Sequence, residues 1–349
     1  MQHQNLTPAL SKSYKIVVFL INTNCERSIN FAKCIADNIE VIYITYDEKN
    51  LELINHPNIK IVHLKNYNDS ENHIYNDFKS FQIARFLKCK FKKAKLYENE
   101  ILIIFNDINF TSVLSYFKTA TAHFDNNKEI NETFIREAFR KKLFTSVNCI
   151  TTQTVRQQNT ILKGFRNTLR IPDGVEISIN NNINTNIEAN PVNKANAGCN
   201  IPDISILNID FIKEVALKVP DYNFIYVTKE PISPEIKYIH NLNFTYDLKN
   251  IVNYKLILLP FKDYKDHKIA QLLYYNLYHP CHIIAKEHPE LDIHRNILTL
   301  EASTTDIITT LQELQTFKET NYIEKKLLIE NSSWKARSKQ LESAILAFN

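Results

Sequence analysis

Histidine, cysteine and carboxylate crowd one stretch of the chain: His279, Cys281, His282, Glu287, His288, Asp292 and His294. Side chains of these types ligate zinc. Their spacing matches no structural zinc pattern, and Cys281 and His282, adjacent on an expected strand, point to opposite faces. No metal site is expected. His123 and Asp125 stand at the end of another expected strand. Histidine titrates near neutral pH, so this pair is the candidate for acid/base chemistry. It equally fits a packed strand histidine beside a helix-capping aspartate. Asn22, Thr23, Asn24 and Arg27 follow the first expected strand and offer polar contacts at its carboxyl end; a solvated loop is the alternative. Lys88, Lys90, Lys92, Lys93 and Lys95 interleave with Phe86, Leu87, Phe91 and Leu96. They suit an anionic lipid surface or a phosphorylated substrate, and equally a solvated helix face. Tyr274, Tyr275 and Tyr278 have a spacing that serves stacking on a base or sugar, or packing in a core.

Composition narrows the chemistry these residues can do. The chain has 349 residues, 44% apolar and 23% charged, the profile of a globular protein of about two domains. It holds only three glycines, Gly164, Gly174 and Gly198, too far apart for a glycine-rich phosphate loop. P-loop NTPases and glycine-fingerprint dehydrogenases are thereby excluded. A net charge of +4 is too weak to argue nucleic acid. The six cysteines form no C-x-x-C and read as reduced, buried thiols. No apolar run approaches the ~18 residues of a membrane span, and no signal peptide is evident. A cytoplasmic protein is expected.

The elements that must position these residues alternate. Strand patterns cover 15–21, 39–45, 59–64, 101–105, 120–124, 147–152 and 169–172; helical patterns cover 28–37, 74–95 and 129–144. An asparagine-rich, apolar-poor stretch then reads as a linker. Beyond it come strands at 223–227, 242–244, 256–260, 281–285 and 297–300. Helices are expected at 211–219, 247–252, 269–278, 305–318 and 334–347. Strands alternating with helices predict parallel βαβ units in two doubly wound sheets. Ligands of such sheets bind beyond the carboxyl ends of the strands, and a site in the cleft between the domains is expected.

Four segments, in order, carry a family resemblance. VNCITTQTVRQQN from Val147, followed by LRIPDGVEI from Leu169, resembles the strand, helix and "PNGVD" turn that close the first domain of retaining, group 1 glycosyltransferases of the GT-B fold. IDFIKEVALKVPDYNFIYV, NLNFTYDLKNIVNYKLILLPFK and the NSSWKARSK stretch at 331–339 resemble successive segments of their second domain and C-terminal helix. The resemblance implies an acceptor domain over 1–177, a linker over 178–198, a nucleotide-sugar donor domain over 199–330 and a helix over 331–349 that crosses back to the first domain. It implies transfer from a nucleotide-sugar to a glycan or lipid-linked acceptor in bacterial surface polysaccharide synthesis, with no cofactor and no metal. A peripheral contact with the inner membrane would run through the five lysines. Asn22, Thr23, Asn24 and Arg27 would face the acceptor, with His123 and Asp125 as catalytic candidates.

The donor motif departs from the family pattern. Its ribose-binding glutamate falls on Tyr275 in an ungapped alignment, and its glycine on Pro280. Shifted by one helical turn, Lys268 matches the motif lysine and Gln271 the glutamate. Glycines usual after the first strand of the domain are absent, with Asn200 and Asp203 standing near. Lys262, Lys268, Gln271, Tyr275 and Thr245 are the expected donor contacts. The alternative is a catalytically inactive protein of this fold that binds glycan or partners another transferase.

Overall fold

The computed structural model describes residues 14–21, 25–45, 48–63, 85, 89, 97–105, 113–114, 117–124, 141–161, 165, 167–175, 195–228, 239–245, 254–262, 266–279, 281–314 and 322–348. The chain forms two compact units, 1–174 with 334–349, and 175–333.

The first unit is built on a parallel sheet of seven strands: β1 (Ile16–Ile21), β2 (Glu40–Thr45), β3 (Ile59–His63), β4 (Tyr97–Phe105), β5 (Phe117–Phe124), β6 (Cys149–Thr152) and β7 (Thr168–Arg170). Their spatial order is β3-β2-β1-β4-β5-β6-β7. The apolar run of β1 is buried on both faces, as a central parallel strand requires. Helix α1 (Glu26–Ala36) begins two residues before the apolar pattern suggests. Cys25 caps it: the Ser28 amide donates to Cys25 Sγ at 3.4 Å, and the Cys25 amide donates to Ser28 Oγ at 3.3 Å. A short helix, α2 (Val155–Ile161), follows β6.

The second unit holds β8 (Ala195–Ile201), β9 (Tyr222–Thr228), β10 (Leu242–Thr245), β11 (Leu256–Leu259), β12 (His282–Lys286) and β13 (Thr299–Glu301), in the parallel order β10-β9-β8-β11-β12-β13. Its helices are α3 (Ile209–Lys218), α4 (Asp266–Asn276), the single turn α5 (Pro289–Asp292), α6 (Thr304–Glu313) and α7 (Tyr322–Asn331). The stretch read as linker ends in β8, a central strand. Its sequence, ANAGCNI, has no β-branched residue before Ile201, because the middle of the strand demands small ones. Gly198 has φ +137°, and a Cβ there would lie 1.9 Å from the Ile225 carbonyl oxygen of β9.

The last helix, α8 (Trp334–Ala347), belongs to the first unit. Trp334, Leu341 and Ile345 join Phe31, Ile35 and Ile171 in one buried cluster, with the Trp334 ring edge-on to Phe31 at 5.6 Å. Gly174 presses on that indole so closely that a Cβ would sit 2.6 Å from it. Among the described residues no helix is long and apolar enough to cross a membrane.

Candidate functional site

Doubly wound sheets bind ligands where the strand order reverses. In the second unit that point lies between β8 and β11. The two strands pair only at Leu256 with Ala197 and Ile257 with Gly198. Beyond Gly198, β8 continues on β9 as far as Ile201, while β11 continues on β12. The strands therefore part over their last residues, leaving the Asn200 backbone without a ladder partner on the β11 side. Asn276, at the end of α4, fills that place. Its Oδ1 accepts from the Asn200 amide at 2.8 Å, and its Nδ2 donates to the Asn200 carbonyl at 2.9 Å and to Leu272 at 2.8 Å. Asn276 is fully buried. The Asn200 side chain donates in turn to His279 Nε2 at 3.1 Å. Burial, and secondarily the Lys325 ammonium, hold His279 down at about 4, so its ring is neutral. Lys325 itself is buried, and its ammonium donates to the carbonyls of His279 and Cys281.

Past the divergence, the loops after β8 and β11 rejoin. The Lys262 amide donates to Ile206, the Asn208 amide to Pro260, and Leu207 bridges Phe261. Asp203 Oδ1 accepts from the Ser205 amide at 2.8 Å and starts a 3₁₀ turn (Ile204–Ile206). Its Oδ2 pairs with the ammonium of Lys268, which stands in the first turn of α4, 3.5 Å from Ser205 Oγ. The structure thus gathers Lys262, Lys268 and Asp203 at the carboxyl ends of β8 and β11. Gln271 follows Lys268 by one turn on α4 and is half-buried. Tyr275 lies about 10 Å along that helix from Lys268, at 1.5 Å per residue, packed against the core. Thr245 ends the edge strand β10, two strands out from β8. Basic groups, a helix N-terminus and backbone amides at one switch point suit a phosphate-bearing ligand.

In the first unit the reversal lies between β1 and β4. Arg27, expected to face an acceptor, instead turns inward and is 3% exposed. It donates through Nε to His123 Nε2, through one terminal nitrogen to Asp173 and through the other to the Ile171 carbonyl. Its guanidinium also lies 5.2 Å from the Phe31 ring centre. His123, fully buried, uses Nδ1 toward Thr151 Oγ1. Because Arg27 can only donate, Nε2 must be bare and Nδ1 must carry the proton. Burial and the neighbouring guanidinium hold the His123 pKa well below its ordinary value, so the ring stays neutral. The second Asp173 oxygen accepts from Gln153 at 2.6 Å. In this arrangement His123 has no open face toward solvent, and the network ties α1 to β5, β6 and the segment after β7. Asp125, Asn22, Thr23 and Asn24 lie outside the described residues, as do Pro280 and the lysines at 88, 90, 92, 93 and 95. Among the described residues no group of three or more His, Cys, Asp or Glu could hold a metal ion. In the cluster at 279–294, His282 Nε2 meets Thr299, His288 caps α5, and Arg295 reaches Glu287 and Asp292.

Asn276 and the Arg27–Asp173–Gln153 network escaped the sequence reading. The signal for Asn276 is an amide inside the apolar run AQLLYYNLY, where a buried polar side chain needs a purpose.

No protein-family model matches the chain, and no curated protein does. Solved structures match over nearly its whole length. The lipopolysaccharide outer core galactosyltransferase WaaB, in its apo form, is similar with a TM-score of 0.64 and 10% identity, over 95% of this chain and 99% of that one. A glycosyltransferase from Rickettsia africae ESF-5 gives a TM-score of 0.61 at 10% identity, covering 96% and 94%. The fold is GT-B. A further GT-B neighbour, HepE from Anabaena in complex with UDP and glucose, gives 0.51 at 9% identity, covering 96% and 97%. Likeness at such identity speaks for the GT-B architecture, two Rossmann-like units with parallel sheets of seven and six strands.

Proposed function

We propose that this chain is a glycosyltransferase that takes its sugar from a nucleotide-activated donor, seated at the carboxyl ends of β8 and β11. The observation that carries the reading is the convergence of Lys268, Lys262 and the 203–208 loop where those strands part. The neighbours' names and the HepE complex with UDP and glucose support it. In the reaction the bond from the sugar's anomeric carbon to the diphosphate oxygen breaks. A new bond forms to an acceptor hydroxyl oxygen, whose proton leaves to a base. The diphosphate departs with the electron pair, and fixed cations lower the energy of that developing charge. Lys268 and Lys262 take that role without a metal. Gln271 bonds a ribose hydroxyl, with Tyr275 and Thr245 at the margins of the donor. Asn22, Thr23 and Asn24 contact the acceptor, a glycan or lipid-linked saccharide of the bacterial surface, and Asp125 is the candidate base. Arg27 and His123 act as positioning residues that hold the strand ends beneath the acceptor. The five lysines at 88–95 give a peripheral membrane contact.

A second reading is favoured by two features: Gln271 brings no charge where group 1 enzymes have a carboxylate, and Lys268 is already paired with Asp203. The chain would then be an inactive relative that binds glycan. A thermal-shift titration with UDP, GDP, CMP and their sugar conjugates decides between them. A ligand of the native state at a hundredfold excess over its dissociation constant adds about 2.7 kcal/mol. The first reading expects a clear rise with one nucleotide class, lost in K268M. No rise at millimolar ligand overturns it.

A further inference from the structure

The geometry points to Asp203 as a built-in counter-ion that a ligand phosphate must displace from Lys268, so that this aspartate sets how tightly the site takes any phosphate; this rests on the donor-site reading above. Asp203 has two oxygens with separate duties. Oδ1 caps the 3₁₀ turn by accepting from the Ser205 amide, and Oδ2 holds the Lys268 ammonium. Asparagine caps a turn as well as aspartate does, so the cap does not require the charge. Lys268 stands in the first turn of an eleven-residue helix, where the helix dipole disfavours a cation. The carboxylate offsets that penalty. A phosphate oxygen would meet the same demands, taking the ammonium of Lys268, the Ser205 amide and hydroxyl, and the positive end of α4. Asp203 therefore occupies the place of an anion. Both groups keep partial solvent contact, Lys268 at 27% and Asp203 at 35% side-chain exposure, so exchange of one anion for another needs no unfolding.

Isothermal titration of the full chain with UDP, GDP and inorganic pyrophosphate tests this, using the wild type, D203N, K268M and the double variant. D203N keeps the amide cap and removes the competing charge. A partly exposed ion pair shifts equilibria modestly, so D203N should bind about two- to fivefold more tightly. The gain should shrink when Lys268 is already methionine. Binding by D203N alone, with none by the wild type, also supports the proposal. Wild-type binding with D203N unchanged overturns it and leaves the donor-site reading standing. Weaker binding by D203N overturns it too, making the carboxylate a ligand contact. No binding by either protein overturns both. The thermal midpoint of D203N, expected to match the wild type without ligand, separates a lost fold from lost binding.

Discussion

Replacing Asn276 with alanine should strike the second unit at the point where its site opens. The side chain makes three hydrogen bonds inside a fully buried pocket, two of them to the amide and carbonyl of Asn200. Alanine leaves both part-buried backbone groups without that partner, and β11 has already turned away from them. An orphaned buried donor or acceptor costs about 1–3 kcal/mol, so the expected loss is about 2–6 kcal/mol. That is a large share of the 5–15 kcal/mol typical of a domain. The assay has an internal reference. Trp334, the chain's one tryptophan, sits in the first unit against Phe31. In urea, N276A should unfold early by far-ultraviolet circular dichroism, while the tryptophan transition stays near its wild-type midpoint. N276D, which keeps the acceptor for the Asn200 amide but sets a carboxylate against two carbonyls, should rescue little. A dichroism midpoint unchanged within 0.5 kcal/mol, as for an ordinary surface substitution, would refute the claim that Asn276 replaces the missing strand.

G198A should unfold the second unit more severely still, by about 3 kcal/mol or more, since positive φ adds strain to a 1.9 Å overlap with the Ile225 carbonyl; a soluble variant with a wild-type melting curve would contradict this. R27L should cost the first unit about 3–5 kcal/mol by leaving the Asp173 carboxylate and the Ile171 carbonyl without their partner, and here the tryptophan transition should move. Glu342 on α8 is 6% exposed, and burial raises its pKa from 4.5 to about 6, against the opposing pull of Lys339. Its folded pKa exceeds its unfolded one, so its charge costs nothing below pH 4.5 and destabilises progressively as pH rises through 6. E342Q should therefore gain about 1–2 kcal/mol at pH 8 and nothing at pH 4, measured by urea midpoints at both values; an equal effect at the two pH values would sink that assignment.

The sheets were legible because buried parallel strands carry continuous apolar runs, as IVVFLI and LILL do. α8 was legible as a helix within 334–347 from its spacing. β8 was hidden because close packing against β9 selects Gly198, Ala197 and Cys199, and small residues carry no strand signature. The site was half legible. Lys268 and Gln271 emerged only by shifting the motif one turn, and in the structure they lie in the first half of α4, while Tyr275, a turn beyond Gln271, packs against the core. Arg27 read as a solvent-facing contact because a sequence cannot say that His123, Ile171 and Asp173, distant in the chain, meet it underneath. Asn276 carries a signal as an amide in an apolar run, but its partner could not be read, for a related reason. Its purpose is to complete a ladder, and the gap in that ladder exists only after the strands have paired.

The most direct test of the central claim is hydrogen–deuterium exchange on the full chain, with and without saturating UDP or GDP. The account predicts slowed exchange in peptides covering 200–208, 260–262 and 266–276, and the loss of that protection in K268M. Protection elsewhere, or none at millimolar nucleotide, would contradict a donor site where β8 and β11 part.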